Sequence, residues 1–228
     1  MPCTNNANKN SILNKAVIFD LDGTLLDTAP DICAYVNIAL EHFGYKKVTK
    51  SDIVKFIGNG ARNLITRCLG EGASEQTIDT VLAFYNNVYA NSNSEYTVVF
   101  DGIIDLLFDL KKRGYKLVIM TNKPQRNTDD LYKKFFKNIG FDAVIGQSDS
   151  VKCKPDKTAT INVLNKLNVL PENTYFIGDG ETDVITSINA GTNGIAVLWG
   201  YRTKEQLSSA GATVFASHPS QLSSIISL

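Results

Sequence analysis

Four aspartates, a lysine and a Thr-Asn pair carry the chemistry open to this chain. Asp20 and Asp22 stand two residues apart in Asp20-Leu21-Asp22-Gly23-Thr24, directly after the apolar run Ala16-Val17-Ile18-Phe19. Paired carboxylates at the end of a buried strand, with a Gly-Thr turn behind them, suit an acid nucleophile beside a general acid/base at a metal site. Asp20 is the candidate nucleophile. A carboxylate that attacks phosphorus forms an acyl phosphate and splits one hard displacement into two easier ones. Asp22 is the candidate acid/base, protonating the departing alkoxide and then taking a proton from the attacking water. The alternative for this segment is an Asp-rich turn that closes a strand.

Three later segments add donors and ligands. Lys116-Leu117-Val118-Ile119-Met120 leads into Thr121-Asn122-Lys123-Pro124, where a hydroxyl and an amide at a strand end can donate to phosphate oxygens. The alternative there is a capped helix start. In Cys153-Lys154-Pro155 the proline disfavours helix at the residue before it, which predicts Lys154 in a loop at the sheet rim, its ammonium free to pair with phosphate. The alternative is one more solvated lysine, and Cys153 is expected to pack rather than react. Tyr175-Phe176-Ile177 ends in Gly178-Asp179-Gly180-Glu181-Thr182-Asp183, with Asp179 at the strand end and Asp183 one helical turn on. Carboxylate oxygens without nitrogen or sulfur suit Mg²⁺. The alternative is an acidic helix start, and Glu181 fits it, facing solvent. With Asp22 protonated, the other three aspartates carry three negative charges, which Mg²⁺ and Lys154 would balance. That balance predicts metal dependence.

To bring these residues together the chain needs a particular set of elements. Apolar, β-branched runs recur at Ala16–Phe19, Lys116–Met120, Ala143–Ile145, Thr174–Ile177, Gly194–Leu198 and Thr213–Ala216, mostly separated by helical periodicity. This alternation predicts an α/β fold with a parallel sheet covered on both faces, and ligands outside the carboxyl ends of its strands. Asp20, Thr121 and Asp179 each follow such a run. The gap between the first two strands is too long for one crossover. Residues 29–98 read instead as a helical cap, with apolar faces through Ile32, Tyr35, Val36, Ala39, Leu40 and Phe43 and through Ile78, Val81, Leu82, Tyr85, Val88 and Tyr89. Thr28 and Asp31 suggest a capping box at the cap's start. Residues 15–28 and 99–228 then form the Rossmann-like catalytic core, with hinges near Thr28 and Val99.

Composition narrows the classes. The chain has 228 residues, 43% of them apolar, with 23 basic and 23 acidic side chains. A full core can be buried, and no charge excess points to nucleic acid or to a membrane surface. No apolar stretch reaches the roughly 20 residues of a membrane span. Residues 1–14 read as a disordered Asn-rich leader without the apolar segment of a signal peptide. The four cysteines, Cys3, Cys33, Cys68 and Cys153, are scattered, which points to a reducing cytoplasm. His42 and His218, the only histidines, are expected at the surface.

The order D-x-D-G-T, strand ending in Thr-Asn, Lys-Pro, then G-D-x-x-x-D resembles the haloacid dehalogenase-like phosphohydrolase superfamily over about residues 15–227. The resemblance implies a Rossmann-like parallel-sheet core with an inserted helical cap, and an aspartyl phosphate on Asp20 with Asp22 as acid/base. It implies Mg²⁺ on Asp20, the main-chain carbonyl of Asp22 and Asp179, with Asp183 acting through water or from behind. Gly23, Thr121, Asn122 and Lys154 would hold the phosphate. Ile57-Gly58-Asn59-Gly60-Ala61-Arg62, the Thr-Asn-Lys-Pro segment, the tail Val197-Leu198-Trp199-Gly200-Tyr201-Arg202, Ala210-Gly211-Ala212 and His218-Pro219 are similar to the phosphoglycolate phosphatase branch.

Selectivity must come from the cap. Gly58 and Gly60 permit a tight turn, and Asn59 could cap a helix starting near Gly60, leaving N–H groups for an anion. Arg62 could form a bidentate pair with a substrate carboxylate, with an exposed first-turn arginine as the alternative. Trp199 is assigned no chemistry. The expectation is a cytoplasmic Mg²⁺-dependent phosphatase, monomeric or homodimeric, acting on a small phosphorylated metabolite, 2-phosphoglycolate first. A pyrophosphatase, a nucleotide or sugar-phosphate phosphatase and a phosphomutase of the same fold stay open. The Gly178-Asp179 pair leans towards hydrolysis, and a catalytically dead regulatory protein would be expected to have lost Asp20, Asp22 or Lys154.

Overall fold

The computed structural model describes residues 14–226. The expected leader, apart from Asn14, lies outside that range, as does Cys3. At the centre is β1 (Ala16–Phe19), whose four side chains are all fully buried. It pairs in parallel with β4 (Lys116–Pro124) on one side and β6 (Thr174–Gly178) on the other. With β5 (Ala143–Gln147), β7 (Asn193–Val197) and β8 (Phe215–Ala216) they form a six-stranded sheet of order β5-β4-β1-β6-β7-β8, every pairing parallel.

Helices cover both faces, which is why β1 reads as an unbroken apolar run rather than an alternating one. Val17 and Phe19 join a large core with α5 (Ile103–Lys112) and α10 (Pro219–Ile225). Ala16 and Ile18 face the opposite core beneath α7 (Thr158–Leu167). The register fixes the site. Phe19 lies opposite Ile119 and Ile177, so Asp20 emerges one residue past a level row, with Thr121 and Asp179 one step further along the same rim.

Only β1 has the limits expected from sequence, and β4 and β8 show what moves a strand's end. β4 does not end at Met120. It continues through Thr121-Asn122-Lys123 to Pro124, which pairs with Gln147 after a register shift. The segment is therefore a bulged strand extension, with α6 (Gln125–Leu131) starting only behind it. Pro124 tolerates this because it sits at the register shift, where the ladder is already irregular. β8 holds two residues instead of four, as an edge strand with a single neighbour.

Between β2 (Leu26–Asp27) and β3 (Val98–Val99), which pair as an antiparallel ribbon, the chain forms α1 (Ala29–His42), α2 (Lys50–Phe56), α3 (Gly60–Leu69) and α4 (Glu75–Ala90). These four helices bury their own core, including Ile32, Val36, Leu40, Ile53, Ile65 and Val81. The expected Thr28–Asp31 capping box does not form. Thr28 donates its hydroxyl to Asp22 Oδ1 at 2.7 Å, and Asp31 accepts from the Tyr35 hydroxyl, the Tyr96 N–H and the Thr97 hydroxyl. Pro30 removes one of the first-turn N–H groups a cap would serve, and both side chains find better partners across the packing surface. Among the described residues no helix is long and apolar enough to cross a membrane.

Candidate active site

Asp20 leaves β1 with its N–H bonded to the Ile177 carbonyl, which holds the backbone in sheet geometry to the last residue. Its Oδ1 accepts from the Leu21 N–H at 2.7 Å and from Lys154 Nζ at 2.9 Å. Among the described residues, no side chain or N–H donates to Oδ2. One oxygen is thus anchored and the other is left without a donor, in a residue that lines the cavity.

The turn behind it is closed by bonds from the Gly23, Thr24, Leu25 and Leu26 N–H groups to carbonyls of the same loop. Gly23 has φ +83° and lies against the Asp179 carboxylate, so a Cβ there would be strained and would also clash. Its N–H donates to the Leu26 carbonyl at 2.8 Å.

Asp22 turns away from the other acids. Thr28 donates to its Oδ1, and Lys123 Nζ lies 3.0 and 3.2 Å from its two oxygens. Asp20, Asp179 and Asp183 instead gather, each offering an oxygen within 4.8 Å of the others. The Asp22 carboxylate is not part of that group.

Asp179 is held at both oxygens, by the Thr24 hydroxyl at 2.9 Å and the Tyr201 N–H at 2.7 Å. Asp183 accepts from Lys154 Nζ at 2.6 Å and from the Gly180 N–H at 2.9 Å. Gly178 is required beside it, because any side chain at that position would occupy the Asp183 carboxylate.

The electrostatics suit a cation. Burial, then repulsion from Asp183 and Asp179, pushes Asp20 up to about 8 against the pull of Lys154. Burial and Asp183 push Asp179 up to about 7, against the Tyr201 N–H and Thr24 hydroxyl. Burial works against the Lys154 ammonium, but Asp183 and Asp20 outweigh it and hold it charged. Among the described residues, Asp20, Asp22, Asp179 and Asp183 form ion pairs only with Lys123 and Lys154, with Arg202 acting on Asp179 from further away, so full ionisation of the four acids exceeds their two lysine partners by two charges. Three converging carboxylates, all-oxygen and short of positive charge, fit a hard divalent cation.

The remaining expected residues differ in what they leave free. Asn122 spends its amide on the Gly58 carbonyl and on both backbone groups of Lys154, so it braces the lysine rather than offering a free donor. Thr121 is buried and its Oγ accepts from the Lys123 N–H, keeping its proton to donate. Gly58 and Gly60 line the cavity above Asp20. Asn59 stands before α3 but makes no side-chain cap, and its carbonyl is taken by the Asn63 amide. Arg62 is paired with Glu75 and Asp79 and lines a separate open cleft, not the cavity above Asp20. Those acids become its neighbours only once α3 packs on α4. Glu181 is not a free solvent-facing acid, since Arg202 Nε donates to it at 2.9 Å.

The cavity over Asp20 is small, about 50 Å³, and is lined by the rim and by Ile32, Ile57, Leu64 and Tyr85 of the inserted helices. Comparison with known proteins now bears on this geometry. The family model for haloacid dehalogenase-like hydrolases matches residues 17–197. The chain belongs to that family.

It is 34% identical to phosphoglycolate phosphatase 1 of Pseudomonas aeruginosa over 194 residues, 83% of this chain and 71% of that protein. It is 28% identical to the phosphoglycolate phosphatase of Aliivibrio fischeri over 94% of this chain and 97% of that one. A crystal structure of a candidate phosphoglycolate phosphatase from Lactobacillus delbrueckii subsp. bulgaricus superposes with TM-score 0.89 at 30% identity, covering 94% and 99% of the two chains. This haloacid dehalogenase-like hydrolase is thus a phosphatase.

Four residues of the hydrolase escaped the sequence reading. Thr24 and Tyr201 hold Asp179. Tyr201 also accepts from the Thr28 and Ala29 N–H groups and donates to Asp27, which ties Asp179 to the ribbon. Arg202 donates to the Val54 and Ile57 carbonyls at the end of α2. Lys123 bridges Asp22 and the Tyr89 ring. Tyr201 and Arg202 lie in the Trp-Gly-Tyr-Arg tail and Lys123 in the Thr-Asn-Lys-Pro segment, which were visible as motifs but carried no role.

Proposed function

We propose that this hydrolase cleaves a small phosphate monoester, 2-phosphoglycolate foremost, through an aspartyl phosphate on Asp20 with Mg²⁺ as cofactor. The observation that carries the reading is the open Oδ2 of Asp20, beside a buried lysine and at the edge of a converging carboxylate group. Asp20 and Asp179, with the main-chain carbonyl of Asp22, would hold the ion. Mg²⁺, when bound, supplies charge neutralisation to the phosphoryl oxygens.

The chain's own residues do the rest. Lys154, fixed by Asp183 and braced by Asn122, offers its ammonium to the phosphoryl oxygens, and Thr121 offers a hydroxyl. Asp20 attacks phosphorus as the ester bond breaks. Asp22 gives its proton to the departing alkoxide and takes one back from the water that hydrolyses the acyl phosphate. The four inserted helices act as a cap that excludes other water during the first step. The small cavity favours a leaving group of a few atoms over a nucleoside. Scattered free thiols at Cys33, Cys68 and Cys153 support a cytoplasmic setting.

The test is release of inorganic phosphate from 2-phosphoglycolate, pyrophosphate, a nucleoside monophosphate and a sugar phosphate, with Mg²⁺ and with EDTA. Asp20→Asn serves as the blank. The expected result is turnover that requires Mg²⁺, is fastest on 2-phosphoglycolate, and is lost in the Asp20→Asn variant. Undiminished turnover after chelation, or in that variant, overturns the reading.

A further inference from the structure

We infer that Lys123 is the specificity-determining residue, holding the anionic end of the leaving group and so selecting esters whose departing alcohol carries a carboxylate. The inference rests on the function proposed above, in which Asp20 takes the phosphoryl group and Asp22 serves the leaving oxygen.

The argument begins with donors. An ammonium has three N–H groups. Lys123 Nζ reaches the two oxygens of Asp22 at 3.0 and 3.2 Å, and it also lies 4.7 Å from the centroid of the Tyr89 ring, a contact that supplies no oxygen to its third N–H. Among the described residues, no third oxygen accepts from it. Its side chain is only 4% exposed, so bulk water does not make up the difference. A buried ammonium that lines the cavity and has donor capacity beyond its one carboxylate partner suits an anion.

Position then selects the ligand. Lys154 lies between Asp20 and Asp183, on the phosphoryl side. Lys123 lies on the Asp22 side, where the alcohol must depart. In 2-phosphoglycolate the carboxylate is separated from the ester oxygen by one methylene, so its oxygens fall about 3 Å from that oxygen. This matches the reach of an ammonium already 3.0 Å from Asp22.

The other cations fit less well. Arg202 also lines the cavity, but its guanidinium is engaged with Glu181 and two carbonyls of the α2 end. Arg62 is paired with Glu75 and Asp79 and lines the outer cleft. The inserted helices contribute Ile32, Leu64 and Tyr85 to the cavity wall, none of them a cation. A site built to pair an anion discriminates against the analogue that lacks it, because the buried donor is then left unmet.

The experiment compares kcat/KM for 2-phosphoglycolate and for ethyl phosphate, which has the same two carbons without the carboxylate. Wild type, Lys123→Met and Lys123→Arg are assayed at saturating Mg²⁺, with folding checked by circular dichroism and Lys123→Gln as the substitute should Lys123→Met not fold. The loss of Asp22's partner affects both substrates. Loss of carboxylate recognition affects one, so the ratio of the two kcat/KM values is the readout.

The expected result is a wild-type ratio well above one. It should fall about ten- to a hundredfold in Lys123→Met, mainly through KM, and be largely restored in Lys123→Arg. A high wild-type ratio that Lys123→Met leaves unchanged overturns this inference alone. A wild-type ratio near one overturns it together with the choice of 2-phosphoglycolate.

Discussion

At the scale of single residues, charge placement governs how the site responds to pH. Asp20 and Asp179 are raised to about 8 and about 7 by burial and by their acidic neighbours. In an unfolded chain they titrate at about 3.9. Between those limits the folded, metal-free protein holds protons that the unfolded chain has released, so its stability falls as pH rises. A divalent cation binds the ionised carboxylates and removes that penalty. Thermal unfolding with EDTA and with Mg²⁺ should therefore show a larger gain from Mg²⁺ at about pH 8 than at about pH 6, and equal gains would contradict the assignment. Asp20, Asp22, Asp179 and Lys154 were legible in the sequence because each adjoins an apolar run or a proline. Lys123 was not, since its partner Asp22 lies 101 positions away. Arg62 looked free for the corresponding reason, because Glu75 and Asp79 join it only through helix packing.

At the scale of elements, strand positions were easier to read than strand ends. β1 appeared with its observed limits, and the rule that ligands gather beyond strand carboxyl ends brought Asp20, Thr121 and Asp179 to one rim. The extension of β4 was hidden because Pro124 reads as a breaker, while its pairing with Gln147 is a long-range fact. The other end of β4 is anchored by Asp142, which accepts from the Leu117 N–H and pairs with Lys111 and Lys116. Burial works against this carboxylate, but those three donors outweigh it and hold it below its ordinary range. Its contribution is thus complete above about pH 4 and is lost as pH falls through the lowered value. Asp142→Asn should cost about 1 kcal/mol at neutral pH, less the solvent screening of the half-exposed lysines, and nothing once the wild-type carboxylate is protonated. Urea unfolding of both proteins at neutral and at strongly acidic pH checks this, and a pH-independent difference would exclude the ionic origin.

At the scale of the whole molecule, the four inserted helices meet the sheet rim through a few polar contacts. Arg202 grips the Val54 and Ile57 carbonyls at 2.8 and 2.6 Å, Asn122 reaches Gly58, and Lys134 donates to Asn93 and Ser94. Removing the Arg202 grip should favour an open arrangement. Arg202→Ala is expected to raise KM about threefold to tenfold while leaving the Lys154–Asp20 pair intact, and to speed proteolysis at the ribbon. An unchanged KM in a folded variant would show that the grip is not what closes the site. The existence of the insertion was legible from the long gap between the first strands and from two amphipathic patterns, but its contacts were not, because they join the ribbon and α2 to residues near 200. The helical core and the sheet core are separate clusters. Yet Tyr201 packs against the helical core and donates its N–H to Asp179, so a rearrangement among α1 to α4 reaches the acid cluster through that residue, and a set of helices transplanted from a relative would have to keep the tyrosine seated.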